Sequence, residues 1–321
     1  MRFHYTELCT TYSIVARDPN TGYLGGAVQT HQMGVGRLIP IMVPGVGVIA
    51  SQSLVNQSYN PMALEMLQQG IAPKDIITAL TASDAGASRR QVAVLDNTGA
   101  VTAFSGDGCI REFGHHEGDG YSVQANMMTN TTVIDAMRDA YENSTGDLAQ
   151  RMLASLQAAQ AEDGDIRGSQ SAALKVVQGE RTGRAWESVY DLRVYEHATP
   201  VDELALLVTI RRAQLVDQDG HRLLAEGKLE QALDTWREAR RITPEQVEPA
   251  FWQAVTIADS KPSDDAVAIA AGIFNTVMTG HPRRAEWLDL IGRLGENGLI
   301  ARDGAADELL SAIEENERGT A

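Results

Sequence analysis

Several segments of this chain are strand-like yet apolar on both faces, and that feature leaves few folds open. In "SIVA" and "SAALKVV" the apolar residues are nearly consecutive rather than alternating. Successive side chains of a strand point to opposite sides, so these strands need cover on both. Helices on one side and a second sheet on the other would supply it. Turn signals then set the order. "TTYSIVARD" and "YLGGAVQT" flank "DPNTG", "GRLIPIMV" and "VIASQS" flank "PGVG", and "RQVAVLD" and "AVTAFSG" flank "NTG". "GYSVQANMM" reads as a further strand, and "SAALKVV" and "SVYDLRVYE" close the series. Helices are predicted over Pro61–Gln69 and Pro73–Ala82, each with Pro near its first turn, and over Val133–Asn143 and Asp147–Ala161. Four strands, two helices, three strands, two helices and two strands predict an α+β fold, a four-layer αββα sandwich over residues 11–199.

After about residue 200 the strand signals stop. Ala232, Trp236, Ala239 and Pro244 fall at the offsets of the second helix of a tetratricopeptide repeat, with Gly220 and Gly227 at its small positions. Ala270, Phe274, Val277 and Pro282 repeat those offsets 38 residues later, counting from 232 to 270. Small residues let paired helices approach, the aromatic fills the gap, and Pro ends the unit. Residues 200–321 are therefore expected to form an all-α, tetratricopeptide-like domain, against the plainer reading of a generic helical bundle. A module this small is expected to dock, to self-associate into a homo-oligomer, or to hold a protein partner.

The chain has 321 residues and a formal net charge of -16. That charge argues against nucleic acid as a partner, because binding to phosphates rests on Lys and Arg. No apolar run approaches the roughly 20 residues that span a bilayer, and the N-terminus does not read as a signal peptide. With only Cys9 and Cys109, disulfides cannot staple the chain, and a reducing cytoplasm is the expected location. His115 and His116 are adjacent, so on a strand they diverge, and neither cysteine has ligand spacing. No metal or other cofactor is expected. "GHHEGDG" lacks the P-loop Lys, and no G-x-S-x-G elbow occurs.

What remains is a set of uncharged polar residues inside apolar strands: Gln29, Gln52, Ser53, Gln124, Asn126, Gln170 and Ser171. A buried amide without partners costs about 1–3 kcal/mol. Either these groups sit at strand ends and bond to loops, or they converge on a cleft that orients a polar, uncharged substrate.

"TYSIVARDPNTGYLGGAVQT", "PGVGVIASQSLVNQSYNPMALEML", "GYSVQANMM" and "DIRGSQSAALKVV" resemble, in order, the blocks of the bacterial family called domain of unknown function 1028. That family is grouped with the N-terminal nucleophile hydrolases, and some members carry a C-terminal helical extension. The resemblance implies the same αββα fold and a nucleophile at the first residue of the mature chain, whose α-amine is the general base. The position that matches is Thr11. Gln52, Asn56, Gln124, Asn126, Arg167, Gln170 and Ser171 match the family's polar positions and are expected to bind substrate or form an oxyanion hole. Arg167 could instead pair with Asp165 or Asp163. Ten residues, "MRFHYTELCT", precede Thr11, and the next Met is Met33. The mechanism thus requires cleavage of the Thr10–Thr11 bond, which would make residues 1–10 a propeptide. Cys9, an alternative nucleophile, lies two residues before the family position.

Two functions follow as expectations. One is an amidohydrolase acting on a small-molecule amide or peptide-like metabolite. The other is a non-catalytic metabolite-binding or scaffold protein whose helical module holds a partner.

Overall fold

The computed structural model describes residues 8–9, 11–184, 186–261 and 263–320. The chain forms two compact units, residues 1–208 and 209–321, which are described in turn. Of the expected propeptide, residues 1–7 and Thr10 lie outside the described residues.

The first unit is mixed α/β with two antiparallel sheets. Sheet A contains β1 (Leu8–Cys9), β4 (Ile41–Val43), β5 (Gly47–Leu54), β6 (Arg90–Asp96) and β7 (Val101–Ser105). Its order is β1–β5–β6–β7, with β4 pairing further along β5. Sheet B contains β2 (Thr11–Arg17), β3 (Leu24–Thr30), β8 (Gly114–Gly118), β9 (Tyr121–Ala125), β10 (Ser171–Val177) and β11 (Tyr190–Val194), in the order β11–β10–β3–β2–β9–β8. Between the strands run α1 (Tyr59–Gln68), α2 (Pro73–Ala82), α3 (Val133–Asn143) and α4 (Leu148–Ala161).

Local chemistry accounts for the tight corners. In the β2–β3 turn the Asp18 carboxylate accepts the N–H groups of Asn20 and Thr21 at 2.8 and 2.9 Å. In the β6–β7 turn Asp96 accepts those of Thr98, Gly99 and Ala100, the side-chain mimic of a backbone turn. Asp147 precedes α4 as its N-cap and forms a capping box with Gln150.

Burial shows why consecutive apolar residues were needed. Val15, Leu24 and Val177 of sheet B pack against Val48, Ala50, Ala93 and Leu95 of sheet A, so the two sheets face each other. Ile49, Val92 and Val94 point the other way and meet Tyr59, Ala63, Leu67, Ile76 and Leu80 of α1 and α2. On sheet B, α4 lies over β2, β3 and β10, and α3 lies over β8 and β9. The approach of α4 is close: a Cβ on Gly25 would come within 2.6 Å of Met152 Cε.

Several elements differ from the sequence reading: β1 adds a fifth strand before the first helix, and α1 begins at Tyr59, two residues ahead of the expected Pro61. Four strands, not three, separate the helix pairs, because "GHHEG" forms the edge strand β8. Its glycines, histidines and glutamate carry no apolar alternation, and a half-exposed edge strand needs none. The expected strand "GRLIPIMV" shrinks to Ile41–Val43, since Val35–Arg37 closes into a 3₁₀ turn.

The division between the units falls inside α5 (Pro200–Ala225). The second unit continues with α6 (Leu229–Ile242), α7 (Glu248–Ser260), α8 (Ala266–Met278), α9 (Arg284–Glu296) and α10 (Ala305–Thr320). Trp236, Phe251 and Phe274 are buried at its centre. Trp236 donates its Nε1–H to the Asp217 carbonyl at 3.1 Å, and it lies so near α5 that a Cβ on Gly220 would meet its ring nitrogen at 2.3 Å. Among the described residues, no helix is long and apolar enough to cross a membrane.

Candidate functional site

Thr11 opens β2, and alternation places Thr11, Ser13 and Val15 on one face of sheet B. Ser13 fixes which face this is, because its hydroxyl donates to Gln52 Oε1 across the gap, at 2.6 Å. The inter-sheet space is apolar at one end, around Val15 and Val48, and polar at the other. The polar end is a continuous network.

Gln52 Nε2 donates to Gln91 Oε1 at 2.7 Å and to the Thr11 carbonyl at 3.2 Å. Gln124 Nε2 donates to Ser13 Oγ at 2.6 Å, and Ser122 donates to Gln124 Oε1 at 3.0 Å. Asn126 Nδ2 donates to Gln91 Oε1 at 2.9 Å and lies 3.4 Å from the Thr11 carbonyl, which also accepts the Asn126 N–H at 3.1 Å. Gln91 Nε2 in turn donates to Ser105 Oγ and to the Gly114 and Ala125 carbonyls. Thr11, Gln52, Gln91, Gln124 and Asn126 are all fully buried. One atom breaks the pattern: the buried Asn126 Oδ1 has no partner in the structure.

The network reaches towards solvent at His115, whose Nδ1 lies 2.9 Å from Ser105 Oγ. Burial pushes the His115 pKa down, outweighing the upward pull of Glu117, so the imidazole is neutral at pH 7. Beside the network, Ser53 adopts φ +69° although it is not glycine, a conformation that costs about 1–3 kcal/mol and tends to mark functional positions. Cys109 adjoins Ser53 and the Arg90 carbonyl; burial pushes its thiol pKa up, which makes it a poor nucleophile. Hydroxyls and amides oriented around one threonine can position an uncharged carbonyl compound and stabilise an oxyanion.

The profile of the family described as "Family of unknown function (DUF1028)" matches residues 11–204. The chain belongs to that family. A structural relative is protein SPO2555 from Silicibacter pomeroyi, whose crystal structure is described with the DUF1028 family profile. It is 30% identical, with a TM-score of 0.56, over 62% of this chain and 88% of that one. Among curated proteins none matches this chain significantly. Thr11 is the first residue of the DUF1028 match, and the second unit, residues 209–321, lies wholly beyond it.

The DUF1028 fold gathers some of the expected site residues and separates others. Gln52, Gln124 and Asn126 meet at Thr11. Ser171 shares their row, since it pairs with Thr30 and Thr30 pairs with Thr11. Its hydroxyl is engaged with the Gln32 carbonyl and the Val35 N–H. Asn56 lies past the end of β5, where its amide donates to Asp84 at 3.2 Å. Asp84 also binds Arg90 at 2.8 Å and Tyr59 at 3.0 Å, and burial pushes the Tyr59 phenol up to about 12. Arg167 grips Asp165 with Nε and Nη2 at 3.0 and 2.7 Å, the ion pair that the sequence left as one of its options. Gln170 donates to Glu196 at 2.6 Å.

Ser13, Gln91, Ser122, Ser105 and His115 complete the network without having been singled out for the site. Gln91 is the second residue of the segment "RQVAVLD" and so resembled an ordinary strand end. Only its pairing opposite Gln52 reveals its role.

Proposed function

We propose that this DUF1028 protein is an N-terminal nucleophile amidohydrolase with Thr11 as nucleophile, acting on an amide or peptide-like substrate in the cytoplasm. The observation that carries the reading is the convergence of buried, uncharged donors on the backbone of the residue that opens the family match. The facing sheets with helices outside each are what an αββα sandwich of this type requires.

The first step is self-cleavage. The Thr11 hydroxyl adds to the Thr10 carbonyl carbon, the peptide C–N bond breaks, and an ester to Thr11 Oγ forms. Water then hydrolyses the ester, releasing residues 1–10 with a carboxylate and leaving a free amine on Thr11. An α-amine titrates near pH 8, so it can take the hydroxyl proton during attack on a substrate and pass it to the leaving amine. A second water releases the acyl group. Asn126 Oδ1, buried and unpartnered, is the acceptor that holds the new amine, and the Gln52 and Asn126 amides donate to the oxyanion.

Intact mass spectrometry tests this. The purified protein should lose residues 1–10, Thr11→Ala should retain them and be inactive, and Thr11→Ser should retain some of both steps. A fully active preparation of unprocessed mass refutes the mechanism.

A second reading, a binding or scaffold role for residues 200–321, draws on the aromatic and glycine spacing of a tetratricopeptide-like unit. It also draws on a cleft of about 370 Å³ lined by Asp217, Thr243, Glu248 and the part-exposed Trp252. Self-association through this unit would appear as a concentration-dependent mass in light scattering, and a constant monomer mass excludes it.

A further inference from the structure

The two described leader residues occupy a defined place. Leu8 pairs with Leu54 and Cys9 with Ser53, antiparallel, on the edge of β5 in sheet A. Thr11 pairs with Thr30 in sheet B. The main chain therefore belongs to one sheet at Cys9 and to the other two residues later. The same edge of β5 is taken by β4 only as far as Ile49, which pairs with Ile41. The left-handed residue of β5, Ser53, stands directly opposite Cys9. Gln52, immediately before it, donates to the Thr11 carbonyl.

This register places a strand on the acyl side of the bond that Thr11 must attack. In self-cleavage the attacked carbonyl belongs to Thr10, and the residues leading up to it lie along β5 by backbone pairing. Once the leader is gone, the same hydroxyl attacks a foreign carbonyl from the same position. The acyl part of that substrate inherits the vacated edge. Backbone pairing does not depend on side-chain identity, and it needs a main chain with its own N–H and C=O groups. A small amide without a peptide backbone cannot use it.

We propose that the edge of β5 at Ser53–Leu54 is the acyl-side subsite of Thr11, and that the substrate class is extended peptides with at least three residues before the cleaved amide bond. The leader strand β1 is its intramolecular occupant. The inference rests on Thr11 being the nucleophile, but its test does not.

The test uses the full chain carrying Thr11→Ala, which keeps the leader attached, with and without Leu8→Pro and Cys9→Pro, which together take the leader's N–H groups off the edge. The probe is the tetrapeptide acetyl-Glu-Leu-Cys-Thr-amide, followed by calorimetry and by hydrogen exchange over β5. The triple variant should bind the probe at least about tenfold more tightly than Thr11→Ala alone and gain protection at Ser53–Leu54 on binding it. N-methylating the probe at Leu or at Cys should weaken binding about tenfold at one of the two positions, the loss expected for one backbone hydrogen bond. Equal binding of both methylated probes, or no protection over β5, overturns the proposal. Should the triple variant fail to fold, hydrogen exchange on Thr11→Ala alone decides: unprotected amides at both Ser53 and Leu54 refute it, and protection that is absent from a chain without residues 1–10 supports it. Probe binding without self-cleavage would refute the nucleophile and keep the subsite; self-cleavage without probe binding would do the reverse.

Discussion

Gln29 and Gln91 are both fully buried glutamines in strands of the same unit, and they should respond oppositely to replacement by Met. Gln91 Nε2 donates to Ser105, Gly114 and Ala125 at 2.8–3.0 Å, and its Oε1 accepts from Gln52 and Asn126. In Gln91→Met the Gln52 and Asn126 amides keep only their longer contacts to the Thr11 carbonyl, and Ser105 loses a donor. With the Gly114 and Ala125 carbonyls also losing a donor, five bonds go, and at about 1 kcal/mol for each net bond lost the cost is about 5 kcal/mol. Gln29 lies on the opposite face of sheet B, beside Tyr12, and neither its Nε2 nor its Oε1 has a partner. Removing that amide should cost nothing and should recover about 1 kcal/mol of the burial penalty. For a unit of this size 1 kcal/mol moves the thermal midpoint by about 2–4 °C. Calorimetry should therefore show the transition of residues 1–208 falling by about 10–20 °C in Gln91→Met and holding or rising by about 2–4 °C in Gln29→Met. If Gln29→Met falls as far as Gln91→Met, counting partners in this structure does not measure the worth of its buried amides.

Two further outcomes concern protons. Hydrogen bonds from Arg90 hold the Asp84 carboxyl well below the usual range, against the upward push of its burial. A depressed carboxylate contributes stability above its unfolded pKa, near 4, and loses it as the pH falls through the folded value. Asp84→Asn should thus lower the unfolding free energy measured in urea by a constant amount between pH 5 and 8, about 2–3 kcal/mol for breaking this partly buried pair, and the gap to the parent should narrow below about pH 4. Hydrolysis by the processed protein should rise with pH along a single limb with its midpoint at or below about 8, because burial disfavours the charged amine. His115→Gln should leave that limb in place; if the limb disappears, the base is His115 and not the α-amine.

Much of the architecture could be read from the chain because it rests on local rules. α2, with Pro73 in its first turn, and α3 occupy the residues expected of them, and α4 differs only in that Asp147 is its cap. The edge strand β8 was missed because its half-exposed residues bear no pattern. The polar residues were legible as intrusions but not as a site. From sequence, Gln29 and Gln52 look alike, each a lone amide in an apolar strand. They part only when pairing assigns faces: Gln52 looks into the inter-sheet network and Gln29 away from it. Asn56, Arg167 and Gln170 were expected at the site through the resemblance to the family's polar positions, yet each follows a loop or strand end to a carboxylate of its own.

The network is hard to explain as scaffolding. An apolar filling between two sheets would stabilise them at least as well, and the other end of the same space is filled in that way. Buried amides are tolerable only when nearly every donor and acceptor is matched, and here the matching is complete except at Asn126 Oδ1, in the residue whose amide already contacts Thr11. An acceptor left open in an otherwise closed network has a use if a donor arrives later. Cleavage before Thr11 would deliver such a donor to that place, since it turns a backbone amide into an amine without moving Thr11 out of its strand. On the proposed mechanism the unmatched oxygen and the change of sheet between Cys9 and Thr11 would share a single cause: a polar end of the core arranged for the chain that remains once the leader is cleaved.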